Sequence, residues 1–237
     1  MKGFLSRSLV VGIVAFATVL ISLGTARATP VFTMELCSPD CGTPGATKIV
    51  VPDGAMGLDV NSAVGAITYV GPVGGDWILA VSTALSKPYQ TAPEMLDLNS
   101  VISSKRASSL EIIMSDTGFA DPSPFLQGTA LVGGTVSNGG TAAFKTFIDG
   151  NNSLFGTSTT FGELGPFPAG AFSGTISSNA LSIGQPYSLT IDVDIRHATA
   201  GTTSFNESVV ATPEPATLLL LGSGLAGLAG LGARRRR

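Results

Sequence analysis

Few side chains in this sequence are equipped for chemistry. His197 is the single histidine, so a hydrolase built on a Ser-His-Asp relay would have to use it. Asp192 and Asp194 lie just upstream, but no G-x-S-x-G elbow supplies a nucleophile, and a surface histidine is the expectation. Asp192, Asp194 and Arg196 project from one strand face by the period-two rule. A carboxylate pair there would suit Ca²⁺ or glycoside hydrolysis. Arg196 beside the pair favours a surface ion-pair network instead. The acids of Asp149-Gly150-Asn151-Asn152 and of the stretch Asp116 to Pro122 match no calcium-loop pattern; turn chemistry accounts for both. No catalytic residue, metal site or cofactor is expected.

Three further groups of residues have a chemical reading. Trp77 and Tyr89 could stack on a sugar ring, but Trp77 shares its strand face with Leu79 and Val81, which favours core packing. Thr157-Ser158-Thr159-Thr160 is one hydroxyl cluster and not the regular array that a flat ice-binding face needs. Cys37 and Cys41 are the only cysteines. An even pair in an exported chain suggests a disulfide closing a small loop, with two free thiols or a metal site as alternatives. A metal site would need a second Cys/His cluster, which the sequence lacks.

Short apolar runs broken by Gly, Pro, Asn and Asp would carry these residues, the pattern of strands and turns. The expected strands are 49–51, 66–70, 77–83, 96–102, 109–115, 130–136, 141–148, 153–161, 171–177, 187–197 and 203–210. Tyr187 to His197 is the clearest, with Leu189, Ile191, Val193 and Ile195 alternating with polar residues. Asn138-Gly139, between two β-prone runs, predicts a hairpin, and Asp116-Thr117-Gly118 predicts a turn. No stretch of the middle region has helical periodicity. About ten strands at roughly 8–12 residue spacing predict an all-β fold, an antiparallel two-sheet sandwich of jelly-roll type.

The composition fits an exported domain. The 237 residues include 30 glycines, and only 12% are charged. All 16 acidic residues lie between Glu35 and Glu214, where only six basic residues accompany them. So acidic a domain argues against nucleic acid and anionic lipid as partners.

Both ends read as targeting segments. Residues 1–28 have a basic start at Lys2 and Arg7 and an apolar stretch from Leu9 to Leu23. An A-x-A site follows at Ala26-Arg27-Ala28, so signal peptidase would leave Thr29 as the first residue. An uncleaved anchor is the alternative, and the apolar stretch is short for one. At the other end, Pro213-Glu214-Pro215 precedes 18 uncharged residues, Ala216 to Ala233, and then Arg234, Arg235, Arg236 and Arg237. Eighteen residues make ~27 Å of helix against a ~30 Å hydrocarbon core. Seven leucines favour insertion by only a few kcal/mol, and five glycines weaken the helix. The segment is a minimal transmembrane helix, suited to a temporary stop. The four arginines would hold its end in the cytoplasm. Gly222, Ala226 and Gly230 form a small-xxx-small face. An ordinary tail anchor is the plain alternative.

This tail resembles the PEP-CTERM sorting signal of bacterial exported proteins, a motif also labelled as a C-terminal segment of ice-binding proteins. The matching residues are Pro213, Glu214, Pro215, Gly222, Gly224 and Arg234 to Arg237. The resemblance implies recognition by a membrane-embedded exosortase, cleavage near Pro-Glu-Pro, delivery to the cell surface, and association with exopolysaccharide or biofilm. Gly75-Asp76-Trp77, Leu110 to Phe119 and Pro186 to His197 also resemble the body of some such proteins, which implies a shared fold and no activity. The expected organisation is a signal helix over 1–28, an extracytoplasmic β-domain over 29–211, and a sorting tail over 212–237 with its helix at 216–233. The expected function is a non-enzymatic structural or adhesive role at the surface. The alternatives are a carbohydrate-binding module and a secreted hydrolase.

Overall fold

A computed structural model describes residues 31–90, 94–120, 125–178 and 181–213. The signal segment and the tail beyond Pro213 lie outside them, and with them both expected helices. The described residues contain no helix, and therefore none long and apolar enough to cross a membrane.

The chain forms eleven strands: β1 (Phe32–Ser38), β2 (Thr47–Pro52), β3 (Ala66–Val73), β4 (Trp77–Leu85), β5 (Glu94–Ser104), β6 (Ser108–Phe119), β7 (Phe125–Asp149), β8 (Thr159–Ser177), β9 (Leu181–Ser182), β10 (Tyr187–His197) and β11 (Gly201–Pro213). Every strand pairing is antiparallel, in the order β2-β1-β6-β10-β7-β11-β5-β4-β3, with β8 and β9 also on β7. The all-β antiparallel expectation therefore holds. The expected division into two sheets does not appear in the hydrogen bonding: the strands form one continuous sheet.

The register explains how one sheet encloses a core. The first part of β7 pairs with β11, from Leu126 opposite Pro213 to Val136 opposite Thr203. The second part pairs with β10, from Gly140 opposite His197 to Asp149 opposite Ser188. Strand β8 follows both parts of β7. The sheet thus folds over at residues 137–140 of β7, with the short β10–β11 connection nested beneath. Asn138-Gly139 does not reverse the chain but lies where β7 bends, and Gly139 takes φ +73°, a left-handed value that suits glycine. The predicted hairpin does not form: the two parts of β7 pair with other strands and not with each other. The fold produces two facing limbs. One holds β2, β1, β6, β10 and the second part of β7; the other holds β3, β4, β5, β11 and the first part. Ends of β2 and β3 approach without a ladder, so the sheet is nearly closed.

Alternation fills the space between the limbs. Leu189, Ile191, Val193 and Ile195 of β10 face inward, as do Leu110, Ile112 and Met114 of β6 and Leu96, Leu98 and Ile102 of β5. Trp77 is fully buried, in line with its place on the Leu79 face. Phe144 of one limb meets Phe205 of the other edge-on, with centroids 5.3 Å apart. Fully burying such side chains contributes roughly 1.5–3 kcal/mol each.

Three local expectations are corrected. Asp116-Thr117-Gly118 is no turn but part of β6, with Asp116 buried. The weak strands at 153–161 and 171–177 are one 19-residue strand, β8, preceded by a loop. Residues 32–38, where no strand was expected, form the buried strand β1.

Candidate functional site

The surface expectation for His197 is overturned. The ring is buried where the sheet folds over, tilted against Trp77 of the facing limb with centroids 5.0 Å apart. Ser104 Oγ lies 2.7 Å from Nδ1 and Thr203 Oγ1 lies 2.8 Å from Nε2. Burial lowers its pKa below the usual histidine value, which favours the neutral ring. A neutral ring with a hydroxyl on each nitrogen is a satisfied polar pair of bonds. Among the described residues, its ring nitrogens meet these hydroxyls and not a carboxylate.

The aspartate pair also differs from its expectation. Asp192 and Asp194 lie on the outer face of β10, but their cation is Lys145 of β7, at 3.3 Å from Asp194 and 3.9 Å from Asp192. Arg196 is exposed. Burial pushes Asp192 up to about 7, helped by the neighbouring charges of Glu111 and Asp194. On the inner face, Thr146 donates to Glu207 Oε1 at 2.9 Å. Glu207 is fully buried and pushed up to about 8 by desolvation. Its Oε2 and Asp192 Oδ1 have no hydrogen-bond partner among the described residues. The Glu207 site had no signal in the sequence beyond a lone acid at an inward position of β11.

The remaining candidates serve structure. Asp149 is held at about 2: burial opposes this, but Ser158 and the amides of Asn151 and Ser153 outweigh it. That accounts for the turn after β7, and Ser158 of the hydroxyl cluster is spent there. Cys37 and Cys41 are bonded to each other with Cα atoms 5.0 Å apart. Glu35 lies close by, but it pairs with Lys48 at 2.6 Å, and a disulfide offers no thiolate to a metal. Tyr89 is exposed, so the two aromatic candidates part company.

One end of the folded sheet collects both ends of the described chain. Phe32 opens β1 opposite Asp116, and Pro213 closes β11 opposite Leu126. The limbs are tied there by Ser86 and Lys87, which donate to Asp116 Oδ2 at 2.6 and 2.7 Å. Lys87 also sits 3.6 Å over the Phe119 ring. Burial raises the Asp116 pKa and lowers that of Lys87, while each charge opposes the other's shift. A cleft of about 510 Å³ opens beside this pair, walled by Val31, Phe32, Pro52, Val64 and Pro88. The last strand therefore runs straight into the Pro-Glu-Pro segment. Residues 211–237 match the family described as the PEP-CTERM protein-sorting motif.

The chain carries a PEP-CTERM tail. The motif implies export, processing by an exosortase and display at the surface. Glu214, Pro215, Gly222, Gly224 and Arg234 to Arg237 lie outside the described residues, as do Ala26 and Ala28 of the expected signal cleavage site. Of the PEP-CTERM residues, Pro213 is the one that lies among the described residues, in β11 opposite Leu126. A search of curated proteins found no match. Among solved structures, the chain is similar to TmCBM61 in complex with beta-1,4-galactotriose, at 12% identity and a TM-score of 0.32. That match covers 58% of this chain and 88% of the other; an overlap so low transfers neither fold nor ligand.

Proposed function

We propose that this protein is an exported β-domain, released to the cell surface by cleavage at its PEP-CTERM tail, with a structural or adhesive role and no enzymatic activity. The observation that supports it best is the junction at Pro213: strand β11 runs up to the first residue of Pro-Glu-Pro, which pairs with Leu126 of β7. The tail is then an address attached directly to a folded cargo, with signal peptidase acting on one end and an exosortase-type membrane protease on the other. The temporary anchor at 216–233 and association with exopolysaccharide or biofilm belong to the same proposal.

Chemistry in the domain supports a non-enzymatic role. His197 is enclosed between two hydroxyls and an indole, and the Asp192–Asp194 pair is bridged by a lysine. Carbohydrate binding remains the second reading; the exposed Tyr89 ring favours it. Mass spectrometry of the mature protein's two termini tests the proposal. Thr29 at the start and an end between Pro213 and Ala216 is the expected result.

A further inference from the structure

The end of the fold that releases both termini is also apolar on its outside. The loop 53–65 joins β2 to β3 there, as the pairing of Thr33 with Pro52 and of Ala66 with Leu85 requires. It exposes Met56 at 98%, Val64 at 69% and Val60 at 64%. Leu58, Val31 and Tyr89 at the same end are exposed as well. These six make up half of the twelve large hydrophobic side chains exposed among the described residues. Scattered apolar residues on a surface need no explanation, but the gathering of half of them at one end is the pattern of an interaction site.

The sequence fixes what must come close to that end. Only Glu214 and Pro215 separate Pro213, the last residue of β11, from the apolar run that begins at Ala216. Three Cα steps span at most about 11 Å. While the tail is attached and spans a bilayer, the Pro213 end of the sheet therefore lies against the bilayer surface. Tyrosine and apolar residues are the side chains that suit the membrane–water interface. Among the described residues, the ionic groups at this end include Asp53, Asp59, Glu94, Asp149 and the Lys87–Asp116 pair, an acidic set with no basic patch. The partner that fits is an electrically neutral lipid surface, engaged through apolar contact.

We propose that, before cleavage, the Met56–Val64 loop and Tyr89 rest in the interfacial layer of the membrane that holds the tail. The domain is then oriented on the bilayer with Pro-Glu-Pro at its surface and the limb faces outward. This rests on the tail acting as a temporary membrane span. Cleavage would release the loop along with the domain.

Met56 provides the probe, because the other described methionines, Met34, Met95 and Met114, are buried. The chain from Thr29 to Arg237 is reconstituted in phosphatidylcholine vesicles and floated. Methionine oxidation by chloramine-T, a charged reagent that the interface excludes, is followed by mass spectrometry. The comparison is the same chain ending at Pro215. The expected result is oxidation of Met56 slowed several-fold in the vesicle-held chain. A Val101→Met variant, with its probe on an outer limb face, should react equally in both forms. Equal Met56 rates in a chain that floats would overturn the proposal while leaving the span intact. A chain that does not float would remove both. Protection in the shorter chain that grows with protein concentration would assign the surface to a second copy, and would also overturn it.

Discussion

Thr146 and Glu207 stand on opposite limbs of the folded sheet and meet in its core, Thr146 Oγ1 donating to Glu207 Oε1 at 2.9 Å. They are 61 residues apart in the chain, and their contact exists only because β7 bends between its two ladders. A carboxyl so placed is costly to ionise. Four expectations follow from this interior and from the tail that the fold presents.

Stability should fall as pH rises. Glu207 ionises near its ordinary value of 4.5 in the unfolded chain and near 8 in the fold. Between those values the unfolded chain has lost a proton that the folded chain keeps, so stability is greatest below the lower value and declines toward the upper one. The displacement corresponds to roughly 5 kcal/mol at most. Glu207→Gln keeps an acceptor for Thr146 and removes the ionisation. Urea unfolding of the variant should show a flatter pH profile and higher stability at pH 8. An unchanged slope would reject the assignment.

His197 should act in the opposite sense. Its pKa is lowered by burial, so its contribution is present above the unfolded value and lost as pH falls through the folded one. His197→Ala removes two hydrogen bonds and the ring packed on Trp77. The expected cost at pH 7 is about 2–4 kcal/mol, read by urea or thermal unfolding. A surface histidine would change stability by no more than about 0.5 kcal/mol.

These two residues show where the sequence was legible. Alternation over Tyr187 to His197 reproduced β10 residue for residue, and it placed Trp77 inward, because burial on one face is written locally as period two. The same alternation puts His197 on the inward face with Ile195, a sign that the surface expectation passed over. Ser104 and Thr203, which satisfy it, come from other strands. Asn138-Gly139 marked an irregular point in β7, but a bend and not the expected reversal. Its neighbours could not be read, because pairing with β10 and β11 rather than within β7 is a long-range choice. Asp116 resembled a turn acid; its partners Ser86 and Lys87 lie about 30 residues away. The tail is the reverse case: its chemistry is local and ordered, so the sorting motif was readable without any fold.

Adjacent glycines in β7 should respond differently to alanine. A Cβ on Gly134 would fall on the Ser204 carbonyl and the Phe172 ring, whereas one on Gly133 meets nothing nearer than the Phe172 carbonyl at 3.9 Å. Gly134→Ala must therefore push β11 or Phe172 aside, at about 1–3 kcal/mol. Gly133→Ala should stay within about 0.5 kcal/mol of the parent chain. Thermal unfolding of the pair checks this, and equal losses would contradict the close packing of β7 on β11.

Sorting through the tail is the central claim, and the termini of the mature protein test it most directly. Mass spectrometry of protein recovered from the cell surface should find Thr29 at the N-terminus. The C-terminus should lie between Pro213 and Ala216, just past the last rung of β11, with Arg234 to Arg237 absent. Surface-located protein that still ends at Arg237 would contradict the account.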